Sequence, residues 1–132
     1  MVTRTPRFLL ALASLLSAVG GALHAAAFRK ALTAIAASNL PRFYGGSSKG
    51  LWLADSATLF ILAAVFGLIA ARPSSATKQV VVLVALIPAA TAVLLYTFLG
   101  NFFAGHLLLA IAALAFFGAM QLPGSAVTST PY

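Results

Sequence analysis

The stretch from Val80 to Leu122 contains no Asp, Glu, Lys or Arg. A helix needs roughly 20 mostly apolar residues to cross the hydrocarbon core of a bilayer, so this stretch is too long for one crossing. Gly100-Asn101 divides it, because this pair breaks a helix and favours a turn. The pattern predicts two antiparallel membrane-spanning helices that are joined at Gly100-Asn101.

Two further apolar runs precede this pair of helices. The four predicted spans cover residues 8–28, 51–71, 79–99 and 102–120. Pro88 lies inside the third span and predicts a kink, which neighbouring helices can accommodate in lipid. We predict an all-α integral membrane four-helix bundle with up-down-up-down order, formed as a single domain by residues 1–122. Residues 123–132, rich in Ser, Thr and Pro, are expected to form a disordered tail.

The one long connection in this scheme runs from Arg29 to Gly50, between the first two spans. Residues 31–38 favour a helix, which either extends the first span beyond the membrane or lies along the interface. Leu40-Pro41 is expected to end this helix, and Gly45-Gly46-Ser47-Ser48 is expected to form a flexible loop.

The composition agrees with a membrane protein. Hydrophobic residues make up 62% of the 132 residues and charged residues only 7%, whereas about a quarter of a soluble domain is charged. The absence of cysteine excludes disulfides, thiolate zinc sites and iron–sulfur clusters. The sequence also lacks Glu, a Gly-rich phosphate loop and a recognisable serine-nucleophile motif, which argues against an enzyme.

The N-terminus allows a second interpretation. Arg4 and Arg7, an apolar run and Ala25-Ala26-Ala27 also fit a signal peptide with a small-residue cleavage site. The run from Phe8 to Phe28 is long for the apolar region of a signal peptide, which favours a retained span.

The basic residues number 8 against a single acidic residue. They occur in ones and twos at the ends of the predicted spans, where Lys and Arg anchor to anionic head groups. Binding to nucleic acid requires a basic cluster on one face and is therefore not expected. The positive-inside rule gives no orientation, because four basic residues fall on each side. The free amino terminus favours placing both termini in the cytoplasm.

Three ionisable side chains are predicted at one depth. His24 lies about one turn before the end of the first span, while Asp55 and His106 lie about one turn inside the second and fourth spans. These three span ends share one side of the bilayer, so the topology predicts a polar cluster there. Ionisable residues within spans usually face the interior or water. The small-residue row Ala13, Ser17, Gly21 and Ala25 shares the face of His24, which indicates that His24 faces the bundle.

Several chemistries fit such a cluster. An Asp–His pair can relay protons, two imidazoles and a carboxylate match a divalent-metal ligand set, and two imidazoles can bracket a haem iron. The structural alternative is that each side chain lies near the interface and that Asp55 complements the helix dipole. Aromatic and amide side chains at the same face predict either an interfacial belt or the vestibule of a lipid or quinone site, namely Trp52, Tyr96, Asn101 and Phe102.

Two kinds of function therefore remain open. Small loops, the lack of a soluble domain and small residues in every span favour an accessory or assembly subunit of a larger membrane complex or homo-oligomer. The polar cluster favours a small-ligand-binding membrane protein. The alternative is an intramembrane metal, haem or quinone site, or proton-coupled small-molecule transport in an oligomer; the sequence requires no cofactor. The whole chain resembles small four-span bacterial membrane proteins, which implies the inner (cytoplasmic) membrane as its location.

Overall fold

The computed structural model of the chain describes residues 4–122. These residues form helices and short connections and contain no strand. The α-helices are α1 (Arg4–Ala37), α2 (Arg42–Ala71), α3 (Lys78–Leu99) and α4 (Phe103–Met120), and a 3₁₀ helix (Pro73–Ser75) links α2 to α3. Each α-helix is long and apolar enough to cross a membrane. The prediction of four apolar helices is confirmed, whereas the predicted tail, 123–132, lies outside the described residues.

Helix α1 occupies the centre of the fold. It packs against both α2 and α4, and α4 in turn packs against α3. A Cβ atom placed on Gly20 would lie 3.1 Å from Leu107 Cδ2 and 3.8 Å from Leu59 Cδ1. A Cβ atom on Gly118 would lie 3.0 Å from Leu10 Cγ. The pairing of residue 20 with 107 and of residue 10 with 118 shows that α1 and α4 are antiparallel.

Small residues of α1 make this close packing possible. Ala13, Ser17 and Gly21 of the predicted row are buried, and Ala25 is partly buried. Ser14 Oγ donates a hydrogen bond of 2.7 Å to the carbonyl oxygen of Ala63 on α2. Small residues allow two helix backbones to approach, and a serine can then bond across the contact. The predicted small-residue contact face on α1 is therefore confirmed.

The predicted length of the connection between the first two helices is wrong, whereas the predicted helix at residues 31–38 is found as an extension of α1 to Ala37. Helix α1 continues to Ala37 and α2 begins at Arg42, so only four residues connect them, at 38–41. The expected flexible loop is helical: the Gly45 amide donates to the Pro41 carbonyl, and Gly45 is buried against Ile35. Packing between the two helix extensions thus outweighs the low helix propensity of glycine.

The two hairpins differ in length. With 34 and 30 residues, α1 and α2 extend for about 51 and 45 Å, whereas α3 and α4, with 22 and 18 residues, extend for about 33 and 27 Å. Because Gly20 lies level with Leu107, the part of α1 beyond Phe28 extends past the start of α4. The α1–α2 hairpin therefore projects beyond the turn between α3 and α4.

The α3–α4 hairpin agrees closely with the sequence pattern. Gly100 has a φ of +70°, a conformation that glycine adopts without steric cost, and it separates the two helices as predicted. At the start of α3, Thr77 Oγ1 accepts a hydrogen bond from the Val80 amide. Pro88 is buried within a helix that continues from Lys78 to Leu99, and a kink at this residue stays a prediction.

At the opposite end, Arg7 ties α1 to the last turn of α2. Its Nε and Nη2 donate hydrogen bonds of 3.2 and 3.0 Å to the carbonyl oxygens of Ala70 and Ala71. The final carbonyls of a helix have no partner within the helix, and a positive charge there complements the helix dipole. Arg7 therefore stabilises the end of α2, a role that the sequence pattern does not reveal.

The close packing of α1 on α2 predicts a position-specific effect of added volume. A Cβ atom on Gly21 would lie 3.2 Å from Leu59 Cβ and 3.3 Å from the Phe60 ring, whereas nothing lies within 4 Å of one on the exposed Gly46. We expect Gly21→Leu to lower the free energy of unfolding by about 1–3 kcal/mol. The control Gly46→Leu should leave it unchanged or raise it by up to about 1 kcal/mol, because leucine has the higher helix propensity. Unfolding in detergent, followed by circular dichroism, measures both; equal effects would contradict the packing.

Candidate functional site

A cavity of about 740 Å³ lies at the end of the fold that contains the turn between α3 and α4. All four helices contribute to its wall, which is mainly apolar, with Leu23, Leu59, Leu95, Leu99, Leu107 and Leu108. The cavity separates the first half of α2 from the α3–α4 hairpin. Its volume lies within the range of about 300–1,000 Å³ that is typical of small-molecule sites.

Three polar or aromatic side chains form one part of this wall: His24 from α1, and Trp52 and Asp55 from α2. His24 Nε2 lies 3.5 Å from Asp55 Oδ2, and the two side chains are 25% and 37% exposed. The structure therefore brings two of the three predicted ionisable residues together on the cavity wall.

Helix α2 fixes the orientation of His24. Trp52 and Ser56 lie four residues apart on α2, which places them on one helix face. The Trp52 indole stacks on the His24 ring with centroids 4.4 Å apart, and its Nε1 donates a hydrogen bond of 2.8 Å to the His24 carbonyl. His24 Nδ1 lies 2.9 Å from Ser56 Oγ. These three contacts hold the imidazole with its Nε2 directed at Asp55.

The Ser56 hydroxyl allows His24 to change its charge without losing a hydrogen bond. Ser56 Oγ lies within hydrogen-bond distance of both His24 Nδ1, at 2.9 Å, and the Trp52 carbonyl oxygen, at 3.2 Å. When the imidazole is neutral and protonated at Nε2, the hydroxyl donates to Nδ1. When Nδ1 is also protonated, it donates to Ser56 Oγ, and the hydroxyl turns to the Trp52 carbonyl. The site therefore accommodates both charge states of His24.

His106 belongs to a separate polar group. Its Nδ1 lies 2.6 Å from Tyr96 Oη and its Nε2 lies 2.7 Å from Asn101 Oδ1. The neighbouring Gly105 admits the Tyr96 ring, since a Cβ atom there would lie 2.9 Å from Tyr96 Cε1. Of the four predicted vestibule residues, Trp52 and Phe102 line the cavity, whereas Tyr96 and Asn101 bind His106. This group ties together the two ends of the α3–α4 turn.

The proposed metal set of His24, Asp55 and His106 is not formed. Within residues 4–122 there is no group of three His, Cys, Asp or Glu side chains that could hold a metal ion. The reason is rotation along α4: Gly105 is its buried position, and the next residue is turned by about 100° to the exposed surface. Both nitrogens of each histidine already face protein partners, so an iron or metal bond would replace one of these contacts.

Ser56 is the residue of this polar group that the sequence interpretation missed. It is buried, yet its hydroxyl reaches His24. The available signal was its spacing of four from Trp52 and its position next to Asp55, which together place three side chains at the same depth of α2.

Comparison with models of protein families, with curated proteins and with solved structures finds no match to this chain.

The His106 group predicts a defined tautomer. Asn101 Oδ1 can only accept a hydrogen bond, so in neutral His106 the Nε2 atom carries the proton and Nδ1 accepts from the Tyr96 hydroxyl. We expect ¹⁵N NMR to show the Nε2–H tautomer, with the Nδ1 resonance shifted by Tyr96→Phe and unchanged by the control Tyr44→Phe. The chain has two histidines, so His24→Gln assigns the spectrum. A neutral Nδ1–H tautomer would contradict this geometry.

Proposed function

We propose that the chain is a multi-pass membrane protein, and that its cavity binds a small lipid-soluble molecule with a polar head group. The observation that carries the proposal is the cavity itself, in which a His24–Asp55 pair lies on an otherwise apolar wall. A few convergent polar groups in an apolar pocket are typical of small-molecule sites.

The apolar outer surface supports insertion in a membrane. On α3 alone, eight large hydrophobic side chains are exposed, namely Val80, Leu83, Leu86, Ile87, Val93, Leu94, Phe98 and Leu99. Soluble proteins rarely expose continuous apolar surface on this scale, whereas hydrocarbon chains cover it at no cost. The proposed arrangement is an up-down-up-down four-helix bundle in the bacterial inner membrane. The N-terminus and the 3₁₀ helix then face the cytoplasm, and the turn between α3 and α4 faces the opposite side.

The cavity has an opening suited to a lipid-soluble ligand. Exposed Leu51, Leu99 and Phe103 border it, so its apolar interior continues to the outer surface. A ligand can then place its apolar body against leucine side chains and its head group against His24 and Asp55. Of the two kinds of function that the sequence left open, the cavity favours ligand binding.

The proposed topology can be tested by labelling, because the chain contains no cysteine. Ser38 lies in the connection between α1 and α2, and Ser74 lies in the 3₁₀ helix; both are exposed. We expect a membrane-impermeant maleimide to label Ser38→Cys and Ser74→Cys from opposite sides of sealed vesicles. Labelling of both from the same side would contradict the four crossings.

Ligand binding can be followed with Trp52, which lines the cavity and is the single tryptophan of the chain. The probes are nitroxides that share one alkyl chain and carry an uncharged, a cationic or an anionic head group. In lipid nanodiscs, we expect at least one probe to quench Trp52 fluorescence saturably. Ala104→Phe, which fills the cavity, should weaken this quenching by about tenfold, a change of about 1.4 kcal/mol in binding free energy.

Two controls separate binding from partition into lipid. Ala113→Phe adds the same side chain at an exposed position of α4 and should leave the quenching unchanged. A Trp52→Phe, Phe98→Trp variant places the reporter on the outer surface of α3 and should give linear quenching. If every probe quenches Trp52 linearly, as it quenches Trp at position 98, the proposed function is wrong.

A further inference from the structure

We propose that the ligand of this cavity is a lipophilic organic cation, with Asp55 as its counter-ion and the proton on His24 as its competitor. This inference rests on the proposed function and specifies the chemical class of the ligand. It is carried by the charge of the cavity wall, by its aromatic residues and by the hydrogen bonds of His24.

The charge of the cavity is opposite to that of the chain. Asp55 is the one acidic residue among 132, against eight Lys and Arg, and it lies on the cavity wall with 37% of its side chain exposed. Within residues 4–122, no Lys or Arg lies within salt-bridge distance of it, and its cationic partner is His24. Unlike Lys or Arg, histidine is uncharged over part of the physiological pH range. The carboxylate is therefore left without a counter-ion whenever His24 is neutral.

The rest of the wall selects the kind of cation. Calcium and magnesium require several oxygen ligands, whereas this wall supplies one carboxylate among leucine and aromatic side chains. Aromatic faces attract organic ammonium groups, and Trp52, Phe102 and Phe103 line the same cavity as Asp55. A cation with an apolar body matches both the charge and the hydrophobic wall, and it can enter from lipid past the exposed Phe103.

Proton exchange follows from the position of His24 between Asp55 and Ser56. A protonated imidazole directs Nε2–H at the carboxylate 3.5 Å away and Nδ1–H at Ser56 Oγ. A ligand cation at Asp55 would repel this second positive charge, so it favours the neutral imidazole. The Ser56 hydroxyl can then turn from the Trp52 carbonyl to Nδ1, and every hydrogen bond of the neutral ring is kept. Binding of the cation therefore releases the proton from His24 to water.

The neighbouring elements add no competing titration to this pair. On α1 and α2, the ionisable groups that line the cavity are His24 and Asp55. In the described part of the chain, α3 and α4 contribute apolar side chains to the wall, and their Tyr96 and His106 bind each other. The basic groups nearest in sequence, Lys49 of α2 and Arg29 of α1, are exposed and lie more than one helical turn away along their helices.

The test compares the three nitroxide probes by quenching of Trp52 in nanodiscs of uncharged lipid, with the position-98 reporter correcting for partition. At about pH 8, the wild-type protein should bind the cationic probe about tenfold more tightly than the uncharged probe, equivalent to about 1.4 kcal/mol. Asp55→Asn should remove this preference while retaining the uncharged probe, and Asp55→Glu should restore it. Lowering the pH from about 8 to about 5 should lower the affinity for the cation about tenfold, because a proton on His24 competes with the ligand for Asp55. His24→Gln should abolish that fall.

Each result tests a different part of the proposal. Equal or tighter binding of the uncharged or the anionic probe would contradict a cationic ligand and leave the proposed ligand-binding function intact. A pH-independent cation affinity in the wild-type protein would overturn competition by the His24 proton. Absence of saturable quenching by all three probes would overturn the proposed function, and this inference with it. If circular dichroism shows that Asp55→Asn does not fold, the wild-type probe series and Asp55→Glu still test the preference for the cationic probe.

Discussion

The close contact of α1 with both α2 and α4 is the constraint on which the rest of the structure depends. In the membrane location that we propose, hydrophobic burial supplies little drive for helix association, so close packing of small residues and hydrogen bonds between helices provide stabilisation. Glycine and serine on α1 meet this requirement: Gly20 touches Leu107, Gly21 touches Leu59, and Ser14 bonds to the α2 backbone. This central helix fixes the depth at which residues of α2 and α4 face one another.

The cavity is a consequence of where that close contact ends. Gly20 and Gly21 are buried in the helix contacts, but one turn later His24 is only partly buried and lines the cavity. At this end, the cavity lies between α2 and the α3–α4 hairpin. Near the 3₁₀ helix, apolar residues of α2 and α3, such as Phe66 and Val81, belong to one core. The cavity therefore begins at the level of Gly20 and extends past His24 towards the turn between α3 and α4. The His24–Asp55 pair lies on this part of the wall among apolar side chains.

The division of polar residues between two groups gives them different roles. Tyr96 and Asn101 engage both nitrogens of His106 on the exposed surface, an arrangement that stabilises the turn between α3 and α4. His24 is bonded through Nδ1 and the backbone, while its Nε2 and the Asp55 carboxylate face the cavity. In the first group, the hydrogen bonds are made within the protein, whereas the second group has a carboxylate on the cavity wall. The ligand binding and proton exchange that we propose therefore lie on the α1–α2 side of the cavity.

The sequence alone determined the four apolar helices, the break at Gly100-Asn101 and the small-residue face of α1, because helix length, turn formation and residue size are local properties. It also indicated that His24, Asp55 and His106 share one end of the fold, since chain reversals set that order. Tertiary packing decided the rest. Gly45 is helical because it packs against Ile35, and Arg7 bonds to the end of α2 across the helix contact. The orientation of α4 about its axis places His106 away from the pair formed by His24 and Asp55. This orientation depends on side-chain contacts between helices, which the sequence of a single helix does not determine.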